Sequence, residues 1–401
     1  MFLIPVKAGI DELNHGSGQI VSATIAARGF PSRFLFLSNP QPVEYRNGFG
    51  SIFWKAFMST SSSPMPVSHP PVSFGKVGVL LVNLGTPDGT DYWSMRRYLA
   101  EFLSDSRVIE WSKLYWYPIL YGIVLNKRPQ KVGKAYEAIW NKDLNESYLR
   151  TYTRNQGELM AQRLKDLPNV VVDWGMRYGS PSIASKIDAL KAQGCDRIVL
   201  FPLYPQYAAA TTATVNDKAF EHLMKMRWQP AVRTVPTYHD DPAYIEALAH
   251  SVRQTLSTLD WEPQLLITSF HGIPQSYFKA GDPYQCFCQK TARLLREALG
   301  YRQDQLRITF QSRFGPEEWL QPYTDKTMEG LAAEGIKRVA IMNPGFVSDC
   351  LETLEEIAGE AGEIFMHHGG EKFVHIPCLN DSEGGMNVLE TVVRRELQGW
   401  V

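Results

Sequence analysis

The sequence predicts an α/β protein made of two similar Rossmann-like halves, each a parallel sheet flanked by helices, with the active-site cleft between them. Three observations carry the prediction. Short apolar runs alternate with segments of helical spacing. The runs fall into two sets of four. The segments following them are rich in aromatic, amide and proline residues, as befits the carboxyl ends of strands where α/β sheets bind ligands.

The first set of strands is expected at 77–83 (VGVLLVN), 170–174, 197–201 and 231–236. The second is expected at 265–270 (LLITSF), 306–311, 337–342 and 372–376. Segments such as SIASKIDALKAQG supply the helices between them. The boundary between halves is expected near 253–262, giving halves at 76–255 and 256–401, with a last helix over about 385–399 packing back on the first half. Residues 1–75 differ: they lack a sustained period, and their TSSSPMPVSHPPVSF segment is rich in Ser and Pro and free of charge. They are expected to be an unstructured extension, or to follow from a start assigned upstream of Met58 or Met65.

Composition narrows the function. With 41 Lys plus Arg against 42 Asp plus Glu, no global field favours nucleic acid. Five scattered cysteines argue against a disulfide framework and for a reducing, cytoplasmic setting. No GxGxxG follows a strand and no GxxxxGK[ST] occurs, so a nucleotide enzyme is disfavoured. The loops NLGTP, GMRYG, PLYPQYAAATT and FHGIP suit a flat apolar ligand better than a phosphate.

Two features point to chemistry. His271 ends the 265–270 strand, where a titratable side chain is either a catalytic group or a histidine packed on a nearby carbonyl. Near the C-terminus, Asp349 and Glu352 have the spacing of a capping box. Glu352, Glu356 and Glu360 recur every four residues, which on an α-helix stacks three carboxylates along one stripe. Such a stripe is either a solvated face or an acidic track for a divalent metal.

Taken together and in chain order, NLGTP, GMRYG, YPQY, SFHGIP, GDPY, QSRFGPEEWL, NPGFVSDCLETLEEI and LND resemble the ferrochelatase family over residues 76–400. The resemblance implies an enzyme that inserts ferrous iron into protoporphyrin IX to form protohaem. It implies His271 and Glu352 as the catalytic pair and metal ligands, with Asp349 tuning Glu352, and Glu356 and Glu360 as a delivery track. Leu84, Arg177 and Tyr178 are implied on the opposite wall, and Trp319, Phe346, Ser147, Arg128 and Lys131 as further substrate contacts. A chelatase for coproporphyrin or another tetrapyrrole, or a non-catalytic haem or metal carrier, are the alternatives. Cys350 stands where some relatives have histidine, so a relay through that position is not assumed.

Iron is here a substrate, and no cofactor is expected. Some relatives hold a [2Fe–2S] cluster through cysteines of a C-terminal tail; this chain ends at Val401 without them, and CFC at 286–288 has the spacing of neither a zinc nor a ferredoxin site. The stretch 111–125, WSKLYWYPILYGIVL, is too short for the roughly 20 residues of a membrane span. It is either a buried helix or, as the resemblance implies, a lip at the cleft mouth. As a lip it would touch the inner membrane peripherally, with Lys113, Lys127, Arg128 and Lys131 meeting headgroups or propionates. Its length favours protoporphyrin.

Overall fold

The computed structural model describes residues 68–69 and 72–401. The chain divides into a unit Met1–Pro71 and a unit Val72–Val401; the expected extension over 1–75 therefore falls almost wholly outside the described residues. Everything below concerns the second unit.

Its eight strands are β1 (Lys76–Thr86), β2 (Val170–Gly179), β3 (Cys195–Pro202), β4 (Ala231–Thr234), β5 (Leu265–His271), β6 (Leu306–Gln311), β7 (Arg338–Met342) and β8 (Lys372–Ile376). They form two four-stranded sheets ordered β2-β1-β3-β4 and β6-β5-β7-β8, parallel throughout. The second order repeats the first, offset by four. The central strands β1 and β5 are continuous aliphatic and β-branched runs because helices cover both of their faces. In each sheet the chain leaves the first strand to one side and returns on the other. The switch points therefore lie between β1 and β3 and between β5 and β7, where loops diverge and leave a crevice.

β2 runs five residues beyond the expected 170–174, because GMRYG keeps its register against Val82–Thr86 of β1 despite its glycines and arginine. One glycine is indispensable there. Gly85 has φ +111°, and a Cβ on it would lie 1.9 Å from the Tyr178 carbonyl oxygen. β4 stops at Thr234, two residues before Pro236, which has no N–H to give the ladder. Helix Pro242–Ser257 runs into the expected 253–262 boundary, so the passage between sheets is the loop 258–264.

One buried apolar cluster joins the halves: Val77, Val79 and Leu81 of β1 share it with Leu266, Ala340, Met342 and Ile376 of the second sheet and with Val388, Leu389, Val392 and Val393 of the last helix. That helix, Glu383–Leu397, packs on Tyr148–Arg163 and Pro242–Ser257. Arg163 reaches Glu383 at 2.6 Å and Glu390 at 2.9 Å, and Arg394 reaches Asp166 at 2.8 Å. No helix among the described residues is long and apolar enough to cross a membrane.

Candidate active site

The two switch points open onto one cavity of about 290 Å³. Asn83, Leu84 and Gly85 reach it from the end of β1, and Leu203, Tyr204 and Gln206 from the end of β3. His271, Gly272 and Ile273 reach it from β5, and Gly345 to Ser348 with Cys350 to Glu352 from the loop after β7. Leu99, Phe102, Leu103, Val108 and Val132 complete an apolar wall; Trp319, Phe314 and Phe346 add aromatic faces. A flat apolar ligand fits this lining.

His271 is half-buried at the cavity with its Nδ1 2.6 Å from the Gly272 carbonyl oxygen. A carbonyl only accepts, so Nδ1 carries a proton, and the tautomer this selects has its lone pair at Nε2. The expected carbonyl contact is present, and it sets the tautomer of a ring that also lines the cleft. The indole of Trp319 lies 6.4 Å away, centroid to centroid.

Glu352 lines the same cavity at the first turn of the segment Glu352–Ala361, which is a π-helix. Gln311 Nε2 donates to its backbone carbonyl at 2.8 Å. Tyr98 and Tyr136 stand across from it; burial, reinforced by the Glu352 charge, pushes both phenols up and keeps them protonated. Glu356 does not line the cavity and accepts from the Ser312 N–H at 2.7 Å and from the Ser312 hydroxyl. Burial raises its pKa; the Ser312 bond and the His271 charge oppose the rise, and Glu352 adds to it. Among the described residues no three His, Cys, Asp or Glu side chains converge on a metal-sized site.

The family model for ferrochelatase matches residues 76–397. A ferrochelatase of Agrobacterium fabrum is 83% identical over 344 residues, 86% of this chain and 100% of that one. This chain belongs to the ferrochelatase family. Ferrochelatases of Rhizobium meliloti (76% over 333 residues, 83% of this chain and 98% of that one) and Brucella ovis (64% over 347 residues, 86% and 99%) agree. Among solved structures, SirB from Bacillus subtilis with Fe³⁺ aligns over 81% of this chain and 97% of its own at 12% identity, with a TM-score of 0.49.

The ferrochelatase motif residues do not all reach the cavity. His271, Glu352, Leu84, Trp319, Phe346, Ser147 and Arg128 line it; Asp349, Arg177, Tyr178, Lys131, Glu356 and Glu360 do not. Arg177 and Tyr178, expected as wall contacts, are drawn behind the wall by Asp105. The Arg177 guanidinium pairs with that carboxylate and donates to Thr214 Oγ1 at 2.6 Å, while the Tyr178 hydroxyl donates to it at 2.8 Å. Ser147 is first a helix cap, accepting the Arg150 N–H at 3.2 Å. Arg128 is exposed at the rim, 5.9 Å from the Phe314 ring.

One expectation for the acidic segment is corrected. Asp349 and Glu352 form no capping box: Asp349 accepts from Thr353 Oγ1 at 2.9 Å and Asn380 Nδ2 at 2.7 Å, and the helix has no side-chain cap. The stripe of Glu352, Glu356 and Glu360 falls on the π-helix, and Glu352 acts electrostatically on Glu356 along it. In the wider π-helix residues five apart become neighbours too, which brings Glu355 beside Glu360. Burial raises the Glu355 pKa, and Glu360 is the next cause.

The stretch 111–125 is not a buried helix: Leu114 is 78%, Tyr115 72% and Ile123 54% exposed, and only Leu120 and Leu125 are buried. Sequence reasoning missed Tyr98, Tyr136, Gln311 and Asp105. None stands out by type or spacing; Gln311 and His271 could have been linked only through strand register.

Proposed function

We propose that this chain inserts Fe²⁺ into protoporphyrin IX to form protohaem, as a lyase of haem biosynthesis. One observation carries the reading: an imidazole with its lone pair free at Nε2 and the carboxylate of Glu352 line the same apolar cavity, fed by opposite switch points. Two pyrrole N–H protons must leave as the metal enters, and a neutral imidazole is the side chain whose ordinary pKa suits that task near neutral pH. In this reading His271 and Glu352 take protons and guide the metal, while Asp349, which holds Thr353 and Asn380, stiffens the approach to Glu352. Leu84, Trp319 and Phe346 face the macrocycle. Arg128 and Ser147 meet its propionates, and Lys131 adds positive charge nearby. Arg177 and Tyr178 shape the wall from behind. Glu356 and Glu360 serve metal delivery.

The reading needs no resident cofactor and takes iron as substrate. The exposed lip supports a cytoplasmic enzyme touching the inner membrane peripherally through 111–125, where exposed Lys113 and Lys127 flank the apolar residues. The test is anaerobic: protein, protoporphyrin IX and Fe²⁺ are mixed, and the free-base absorbance bands should give way to haem over many turnovers. Stoichiometric binding without turnover would mean a carrier instead.

A further inference from the structure

Behind the π-helix runs a chain of hydrogen bonds whose sense the backbone dictates. The Ser269 carbonyl can only accept, and it takes a proton from Asn343 Nδ2 at 3.2 Å. That fixes the Asn343 amide and turns its Oδ1 to His375 Nε2 on β8, 3.1 Å away. An amide oxygen only accepts, so His375 carries a proton on Nε2 and donates it. The other Asn343 Nδ2 proton goes to Gln311 Oε1 at 2.7 Å, an oxygen also taken by Ser269 Oγ at 2.8 Å. With Oε1 occupied, Gln311 Nε2 faces the π-helix and donates to the Glu352 carbonyl at 2.8 Å and to Glu356 Oε2 at 3.4 Å. Every amide from His375 to the carboxylates therefore points one way.

We propose that His375 is a positioning residue: by donating to Asn343 it locks the amides that hold Glu352 and Glu356 at a set place relative to His271. The inference rests on the roles given to His271 and Glu352 above. Its reach comes from Gln311, which is the register partner of His271 and whose own carbonyl accepts the Gly272 N–H at 2.8 Å. One residue thus borders the histidine through its backbone and the glutamate's turn through its side chain. Without the His375 proton, Asn343 Oδ1 lacks its donor, and the amide is held from its Nδ2 side alone, so the flipped state gains population. A flipped Asn343 sets oxygen against Gln311 Oε1; Gln311 must then flip too, and its oxygen would face the Glu356 carboxylate. A conserved direction of donation is what keeps the first turn of the π-helix in place.

The test compares His375→Leu with His375→Gln in the full-length protein, because a glutamine amide nitrogen reaches about as far as the imidazole Nε2. His375→Leu should lower kcat about tenfold with the KM for protoporphyrin IX unchanged, and His375→Gln should restore most of it. Hydrogen exchange without substrates supplies an independent readout: amides of 352–356 should exchange faster in His375→Leu and not in His375→Gln. If His375→Leu does not fold, Asn343→Asp, which cannot donate to Ser269 or Gln311, should show the same losses. The proposal is overturned if a folded His375→Leu, or Asn343→Asp, keeps wild-type kcat and exchange, or if His375→Gln is as impaired as His375→Leu. Absence of insertion by the wild type would instead overturn the functional reading and leave the exchange comparison to judge the chain of bonds.

Discussion

His271 and Gln311 stand side by side at the ends of β5 and β6, and the Gly272 N–H that follows the histidine donates to the Gln311 carbonyl at 2.8 Å. The ladder thus ends on the residue whose side chain then crosses to the Glu352 carbonyl. A histidine on one strand end and a glutamate some eighty residues later are brought to one cavity by a single amide between them. This arrangement makes the cavity-facing pair sensitive to changes in chemistry at constant shape.

Replacing His271 by Ala should therefore abolish iron insertion while protoporphyrin still binds, since the apolar lining contributes most of the affinity. Glu352→Gln keeps the shape, removes the charge and should also cripple turnover. General acid–base contributions of about 10² to 10⁴ set the scale. Initial rates with parallel fluorescence-quench titrations check it; a His271→Ala variant retaining more than about a tenth of wild-type turnover would be incompatible with that scale.

Asp105 should matter for stability. Burial pushes its pKa up, but bonds from Thr214, the Arg107 N–H and Tyr178, with the Arg177 charge, outweigh burial and hold it below the ordinary 3.8. A depressed carboxyl contributes stability above its unfolded value and loses it as the pH falls, here below about 3.8. The side chains of Arg177 and Asp105 are 9% and 7% exposed, so Asp105→Asn leaves the buried guanidinium only the Glu101 carboxylate at 3.8 Å and should cost about 3 kcal/mol. Denaturant melts at neutral pH, and again toward pH 3, would register both effects.

The sheets were legible in the sequence because their strands are buried on both faces and read as continuous apolar runs; the second set matches the strand positions nearly residue for residue. The second half of β2 was not, since Gly175, Arg177 and Gly179 carry no strand signal and pair only because β1 lies beside them. At the site, His271 was legible from its place at a strand end. The geometry of the glutamates was not, because period-four spacing looks the same on an α-helix and a π-helix until the turns are seen. Arg177 shows a third limit: a motif names a residue, but only the fold reveals that Asp105 draws it behind the wall.

Both sheets of the described unit take every strand from Lys76 onward, and the family match begins at that residue. Deleting residues 1–57 should leave turnover and the thermal midpoint nearly unchanged. Calorimetry of the truncated chain decides the matter; a large drop in midpoint would mean that the segment belongs to the fold.

Glu356 and Glu360 lie on one π-helix in different surroundings. Glu356 is held by Ser312 against the strand ends, whereas Glu360 is exposed beside Glu355. Glu360→Gln should therefore be mild, touching only delivery of the cation, while Glu356→Gln should lower turnover about tenfold or more. The same substitution should raise stability. Burial lifts the Glu356 pKa above the ordinary 4.5, so at neutral pH the folded chain bears a charge it would rather not hold. A carboxyl raised in this way contributes stability that is full below about pH 4.5 and lost as the pH climbs through the folded value. Wild-type protein should accordingly gain stability as the pH falls from 7 toward 4.5, with Glu355, also raised, sharing the slope. Glu356→Gln should melt higher at pH 7 and show a shallower slope. Equal midpoints and equal slopes in the two proteins would show that the Ser312 bonds fully offset the burial, and that the glutamate sits there at no cost to the fold.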